Sequence, residues 1–272
     1  MAPSRSNTDR IIGRRRVQSP RGRVAVAAGT YLCWTLATWA LEGRLLTLQR
    51  PTATVDRLVY TTVANVLIGT LVALWMVRAS VASGATSRAR LGLGSWRHTL
   101  LGSAAGSVAG LALYLAQGPP TTDPVVLTNA FAQVLPVSIA EIVVCWLLVG
   151  GSVEAALRGR VPDTAARAAA LLVASVCFGA YHVAHSPPFD TPAMIGLLTV
   201  VSVGTGLVFF GARSAYGALA VHNVLALFGV ASALADAGRL GAYREPILPL
   251  LVTGLVALLV FVGAERIGVR DA

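Results

Sequence analysis

Residues 126–149 read VLTNAFAQVLPVSIAEIVVCWLLV, and this stretch decides the fold class. It is 24 residues long, apolar nearly throughout, and carries one formal charge, Glu141. A helix rises about 1.5 Å per residue, so roughly 20 apolar residues cross a hydrocarbon core about 30 Å thick. The stretch therefore reads as a membrane span. Runs of the same kind lie at 24–41, 58–77, 99–116, 168–186, 193–211, 214–235 and 248–264. Together they predict an all-α polytopic membrane helical bundle of about eight transmembrane helices.

Composition points the same way. The 272-residue chain is 55% hydrophobic and 12% charged, whereas a soluble domain carries about 25% charge. This balance excludes a disordered chain, a collagen-like repeat, a nucleic-acid module and a disulfide-stapled secreted scaffold. All 22 basic residues are arginines, and they flank the apolar runs. The net charge of +10 is thus read as a topology signal, not as affinity for nucleic acid. On the side of the N-terminus stand 17 arginines, against 5 on the other side: Arg44, Arg50, Arg57, Arg239 and Arg244. That asymmetry predicts a multi-pass protein of the plasma membrane with both termini cytoplasmic. Residues 1–23 are expected to form a disordered basic cytoplasmic arm, 24–264 the bundle and 265–272 a short cytoplasmic tail.

Punctuation supports the joints between spans: Pro119 and Pro120, Pro187 and Pro188, and Pro246 each fall between apolar runs. In the third run Gly102, Gly106 and Gly110 recur every four residues, which predicts close approach of a neighbouring helix. Cys33, Cys145 and Cys177 lie singly in apolar stretches, so neither a disulfide framework nor a cysteine-rich metal site follows.

An ionisable side chain at the centre of a bilayer costs about 2.5–3.5 kcal/mol on insertion scales, so each one present calls for a reason. Glu141 is such a residue, and as a desolvated carboxylate near a water it can act as a general base. His182 closes the fifth run, and His222 with Asn223 stands inside the seventh. Cys145 follows Glu141 by one turn, a place from which it assists the site or simply fills the core. Phe178 shares a face with His182, and His185, just before the Pro187-Pro188 breaker, is expected at the mouth of any cavity. His98, beside Arg97, reads as interfacial. A glutamate and two histidines on separate spans can hold a metal ion or polarise water for hydrolysis. By helical rise, Glu141 and His222 lie roughly 12 Å from the cytoplasmic face and His182 roughly 20 Å, a gap that helix tilt or a later start of the fifth span would have to close. No HExxH motif, no paired intramembrane aspartates and no Gly-x-Ser-Gly nucleophile occur in the apolar runs.

The order Glu, Phe-x-x-x-His and His on three spans resembles the CPBP intramembrane protease family, which includes CAAX prenyl endopeptidases and bacteriocin-processing enzymes. The likeness covers about residues 99–235. That family carries EExxxR, FxxxH and HxxxN or HxxxD motifs on three helices of an eight-helix core. Phe178-Gly179-Ala180-Tyr181-His182 matches the second motif in full. Aligning Glu141 with the first glutamate puts Ile142 at the second and Trp146 at the arginine; the other register puts Ala140 and Cys145 at the flanking motif positions. In the third motif His222 is kept, Ala226 stands four residues on, and Asn223 offers a substitute amide. The resemblance implies an endopeptidase acting on a membrane-associated peptide or protein within the lipid bilayer. Glu141 would be its general base, with His182 and His222 as metal ligands beside Glu141, for Zn2+, or as oxyanion stabilisers. Phe178, Asn223, Cys145 and His185 would be supporting residues. Competing expectations are a catalytically inactive relative that serves as a membrane scaffold, and a transporter or haem protein with His182 and His222 as axial ligands.

Overall fold

The computed structural model describes residues 19–50 and 52–269. Eight helices are long and apolar enough to cross a membrane, and we number them α1 (Pro20–Gly43), α2 (Thr54–Ala82), α3 (Trp96–Ala116), α4 (Pro124–Leu157), α5 (Asp163–Ala184), α6 (Pro192–Ala212), α7 (Ala215–Asp236) and α8 (Leu248–Val269). The chain is an all-α bundle of a multi-pass membrane protein. Lipid offers no partner for free backbone groups, and helices satisfy theirs internally.

The ends of α6 and α7 fall within one residue of the apolar runs and α5 ends two residues early, while α1, α2, α4 and α8 extend beyond theirs by up to eight residues. Ser19 accepts a hydrogen bond from Gly22 N at 3.0 Å with Pro20 in the first turn, so α1 begins inside the segment expected to be a disordered arm. Residues 1–18 of that arm lie outside the described residues. Likewise Glu265–Val269, expected in the tail, continue α8, and residues 270–272 lie outside the described residues. Asp123 caps α4 by accepting from Val125 N and Val126 N at 2.8 and 3.3 Å.

The 34-residue α4 is the axis of the bundle: 94% of its most apolar window is buried, against 22–56% for the other spans. Around it the glycine face of α3 meets α7 as expected. A Cβ at Gly102 would collide with Ser214 Oγ, one at Gly106 with the carbonyl of Gly217, and one at Gly110 would lie 3.0 Å from Val224 Cβ. Small residues let these backbones approach without leaving a void.

One end of the bundle is fastened by ion pairs. Arg213 grips Glu154 with Nη1 and Nη2 at 2.9 and 2.5 Å, and Arg90 and Arg167 stand 3.8 and 3.9 Å from the same carboxylate. Glu265 accepts from Tyr216 Oη at 3.0 Å and pairs with Arg88 at 2.7 Å and Arg266 at 3.0 Å. His98 is exposed there, with Nε2 2.8 Å from the Arg213 carbonyl, as an interfacial residue should be. The depth gap that helical rise alone leaves between Glu141, His182 and His222 is closed in the folded chain, where both imidazoles reach the Glu141 carboxylate at 2.8 and 3.9 Å.

Candidate functional site

The opposite end of the bundle carries the candidate site. At the end of α1 the helix widens, with Arg44 N–H bonded to the carbonyl of Trp39 at 2.8 Å. Gly43 packs directly under the turn that ends α5: a Cβ there would meet the Ala184 carbonyl and lie 3.3 Å from that of His185. Only a residue without a side chain allows that approach. It delivers the neighbouring Glu42 into the protein, where the Ser186 N–H and hydroxyl donate to it at 2.8 and 2.5 Å and Thr47 Oγ1 lies at 3.5 Å. Glu42 is 4% exposed. His185 Nδ1 stands 3.4 Å from Glu42 Oε2.

Glu141 is buried at the middle of α4, where the helix widens again over Ile142–Gly150. Widened turns of this kind recur at functional sites. His222 Nε2 lies 2.8 Å from Glu141 Oε2, and His182 Nε2 lies 3.9 Å from Oε1. Phe178 fills the angle between the imidazoles, its ring centroid 4.6 Å from that of His182 and 5.0 Å from that of His222. Trp146, in the position of the arginine in the resembling motif, packs its ring edge-on at 5.4 Å from His222. No arginine lies within ion-pair distance of Glu141 among the described residues.

Hydrogen bonds settle which nitrogen of His182 and of His222 carries the hydrogen. His182 Nδ1 lies 2.9 Å from the Phe178 carbonyl, which can only accept, so Nδ1 carries the hydrogen and Nε2 of the neutral ring keeps its lone pair. His185 Nδ1 faces the Glu42 carboxylate, and its Nε2 is buried with no partner among the described residues. His222 is the opposite case. Its Nε2 donates to Glu141, and its Nδ1 accepts from Thr205 Oγ1 at 3.2 Å. One ligand atom each from Glu141, His182 and His185 lies within 4.8 Å of the others. A carboxylate and two imidazoles with an open position suit Zn2+, and a carboxylate behind a ligating histidine is the arrangement that fixes its tautomer. The convergent set thus contains His185 in place of the expected His222.

These groups open on a cavity of about 140 Å3 that runs from Glu141, His182 and His185 past Ser138 and Thr205 to Gln133 and Arg57. Val201, 37% exposed on α6, also lines it. Outside the spans, burial pushes the Tyr243 phenol above its usual pKa, and its hydroxyl donates to Gln133 Oε1. Glu141 holds the Nε2 of His222 that an axial bond to haem iron would need.

The structure brings together Glu141, His182, His222, Phe178 and His185. It does not bring in Cys145, fully buried in the apolar core, or Asn223, whose amide atoms find no partner among the described residues. Cys145, one turn beyond Glu141, does not line the cavity, and Asn223 is turned about 100° from His222. Glu42, Ser186 and Thr205 were not foreseen. Glu42 had one signal, being the only acid between Asp9 and Asp56. No protein-family model matches the chain, nor does any curated protein or any solved structure.

Proposed function

We propose that the protein is an intramembrane endopeptidase of the CPBP type that hydrolyses membrane-associated peptides or proteins, with a zinc ion held by His182 and His185 beside Glu141, which stays free as the base. The observation that carries the reading is that one ligand atom each of Glu141, His182 and His185 lies within 4.8 Å of the others at a cavity of the bundle. With Nδ1 donating to the Phe178 carbonyl, Nε2 of the neutral His182 ring cannot donate to an oxyanion, which favours ligation over oxyanion stabilisation for His182. Zinc bound there supplies a water of lowered pKa and a Lewis acid for the scissile carbonyl.

The chain's own groups do the rest. His222 ties down Oε2 of Glu141 and leaves Oε1 as the basic atom for a water proton, which Glu141 then returns to the leaving amine. Thr205 keeps His222 in the tautomer that donates to the carboxylate. Glu42 holds His185 from behind. The largely apolar walls suit a substrate that arrives from the membrane and shelter the reacting groups from bulk water. In our reading the arginine-rich end faces the cytoplasm, as the excess of arginines there implies, so both termini are cytoplasmic in the plasma membrane and the cavity lies in its outer half.

The test is cleavage of membrane-anchored peptides by the purified protein in proteoliposomes, with elemental analysis alongside. Stoichiometric zinc that is lost in His185→Ala, with cleavage abolished in Glu141→Gln, is the expected result. Cleavage unchanged in Glu141→Gln removes the hydrolase reading, and zinc unaffected by His185→Ala removes the ligand set.

A further inference from the structure

We propose that the outer end of the cavity binds an oxyanion, a carboxylate or a phosphate carried on an apolar chain, with Arg57 as its cation. The proposal goes beyond the hydrolase reading and stands without it. Arg57, on the first turn of α2, is 8% exposed and lines the same cavity as Glu141. Its Nε and Nη2 donate to the Thr47 carbonyl at 3.1 and 3.0 Å, Nη2 also reaches the Arg50 and Leu48 carbonyls at 3.0 and 3.5 Å, and Nη1 faces Tyr243 Oη at 3.1 Å. Every one of these acceptors is neutral.

Among the described residues no carboxylate lies within ion-pair distance of Arg57. The acid beside it in sequence, Asp56, pairs instead with the exposed Arg50. Arg213 and Arg266, whose side chains are 18% and 14% exposed, each have a carboxylate within 3.0 Å. A buried charge without a counter-charge is costly, and carbonyl dipoles offset only part of that cost. Clamping the 47–50 segment explains Nε and Nη2. It does not explain Nη1, which has two hydrogens and one acceptor among the described residues. Nor does it explain why a clamp should face the cavity. Around the guanidinium the walls mix polar groups, Thr61, Gln133 and Thr253, with apolar Leu48, Val134 and Leu250. An anionic head with an apolar tail matches that lining, and a planar guanidinium suits two-oxygen anions.

The experiment uses the full chain in a neutral detergent and follows its thermal midpoint with four probes. Dioctanoyl phosphatidic acid and N-dodecanoylglycine supply the two anions; dioctanoylglycerol and the methyl ester of N-dodecanoylglycine are their uncharged counterparts. At least one anion should raise the midpoint where its counterpart does not, and Arg57→Gln should weaken that anion's binding about tenfold or more, the loss of one charge-assisted hydrogen bond. A response to the phosphate alone identifies a lipid headgroup as the source; a response to the carboxylate alone identifies an acyl or peptide terminus. Equal effects of an anion and its uncharged counterpart, or no effect of either anion, overturn the proposal in the wild-type chain, whether or not Arg57→Gln folds. Glu141→Gln should bind the anion as the wild type does, so this site and the hydrolase reading succeed or fail separately.

Discussion

The two ends of the bundle solve the same problem, a buried carboxylate, in opposite ways. At one end Glu154 and Glu265 are each met by arginines on several elements, which ties the 88–94 segment, the α6–α7 turn and the ends of α4 and α8 into one girdle. At the other end Glu42 and Glu141 are met by histidines and by serine, with no arginine within ion-pair distance among the described residues, around a cavity instead of a packed joint. An arginine stays charged and neutralises its partner permanently. A histidine leaves a lone pair and a proton that can move. The difference separates polar groups that hold the fold from polar groups that are left available for chemistry, without appeal to any relative.

The contrast breaks first at Glu141. Glu141→Gln keeps an acceptor for His222 but removes the base, so cleavage should fall roughly 10²–10⁴-fold, read from initial rates in proteoliposomes, with the thermal midpoint little changed. A similar rate with a lowered midpoint would make Glu141 another structural acid. At the girdle the expectation reverses. Arg213→Gln leaves Glu154 buried with only the more distant Arg90 and Arg167, and should cost about 3 kcal/mol of stability, measured by denaturant titration in mixed micelles. Cleavage per folded molecule should stay at the wild-type rate.

Glu42 sharpens the comparison, because it is a buried acid that touches no reacting group. If it orients His185, Glu42→Gln should weaken zinc binding roughly 10- to 100-fold, measured by competition with a chelator. The amide oxygen can keep the bond from the Ser186 N–H, and the Ser186 hydroxyl can turn to accept from the amide N–H, so the fold should survive. A purely structural Glu42 would lower the midpoint and leave zinc affinity where it was.

The eight spans and the α3 glycine face were legible because both depend on local composition, and hydropathy with small-residue spacing records it directly. Span ends were less so. The chain stays helical through Gly151–Leu157 and Ala264–Val269 despite Glu154 and Glu265, since their charges are met by Arg213 and Arg88, distant in sequence. At the site, Glu141, His182 and His222 stood out as ionisable groups in apolar runs. Glu42 did not, because it ends an apolar run two residues before Arg44 and has the look of an interfacial charge; Gly43 turns it inward through a contact with Ala184 that no local pattern records. The exchange of His185 for His222 was equally hidden. It rests on which nitrogen faces a backbone carbonyl, a carboxylate or a threonine, and those partners come from α1, α4, α5 and α6.

Asn223 offers the smallest expected effect and the closest test of where the functional end stops. The resemblance to a family motif places it as a stand-in for the polar partner of His222, yet it is 1% exposed and both amide atoms lack partners among the described residues. A buried amide with nothing to bond costs about 1–3 kcal/mol, and an apolar residue of similar shape escapes that cost. If Asn223 is only packing, Asn223→Leu should therefore be neutral or stabilising, within about 1 kcal/mol of wild type, and cleavage should be unchanged. If instead its amide swings toward His222 when substrate enters, cleavage should fall while the resting stability rises. That pairing of opposite changes would move Asn223 to the chemical side of the divide, because only a group held unsatisfied for use gains stability and loses rate on the same substitution.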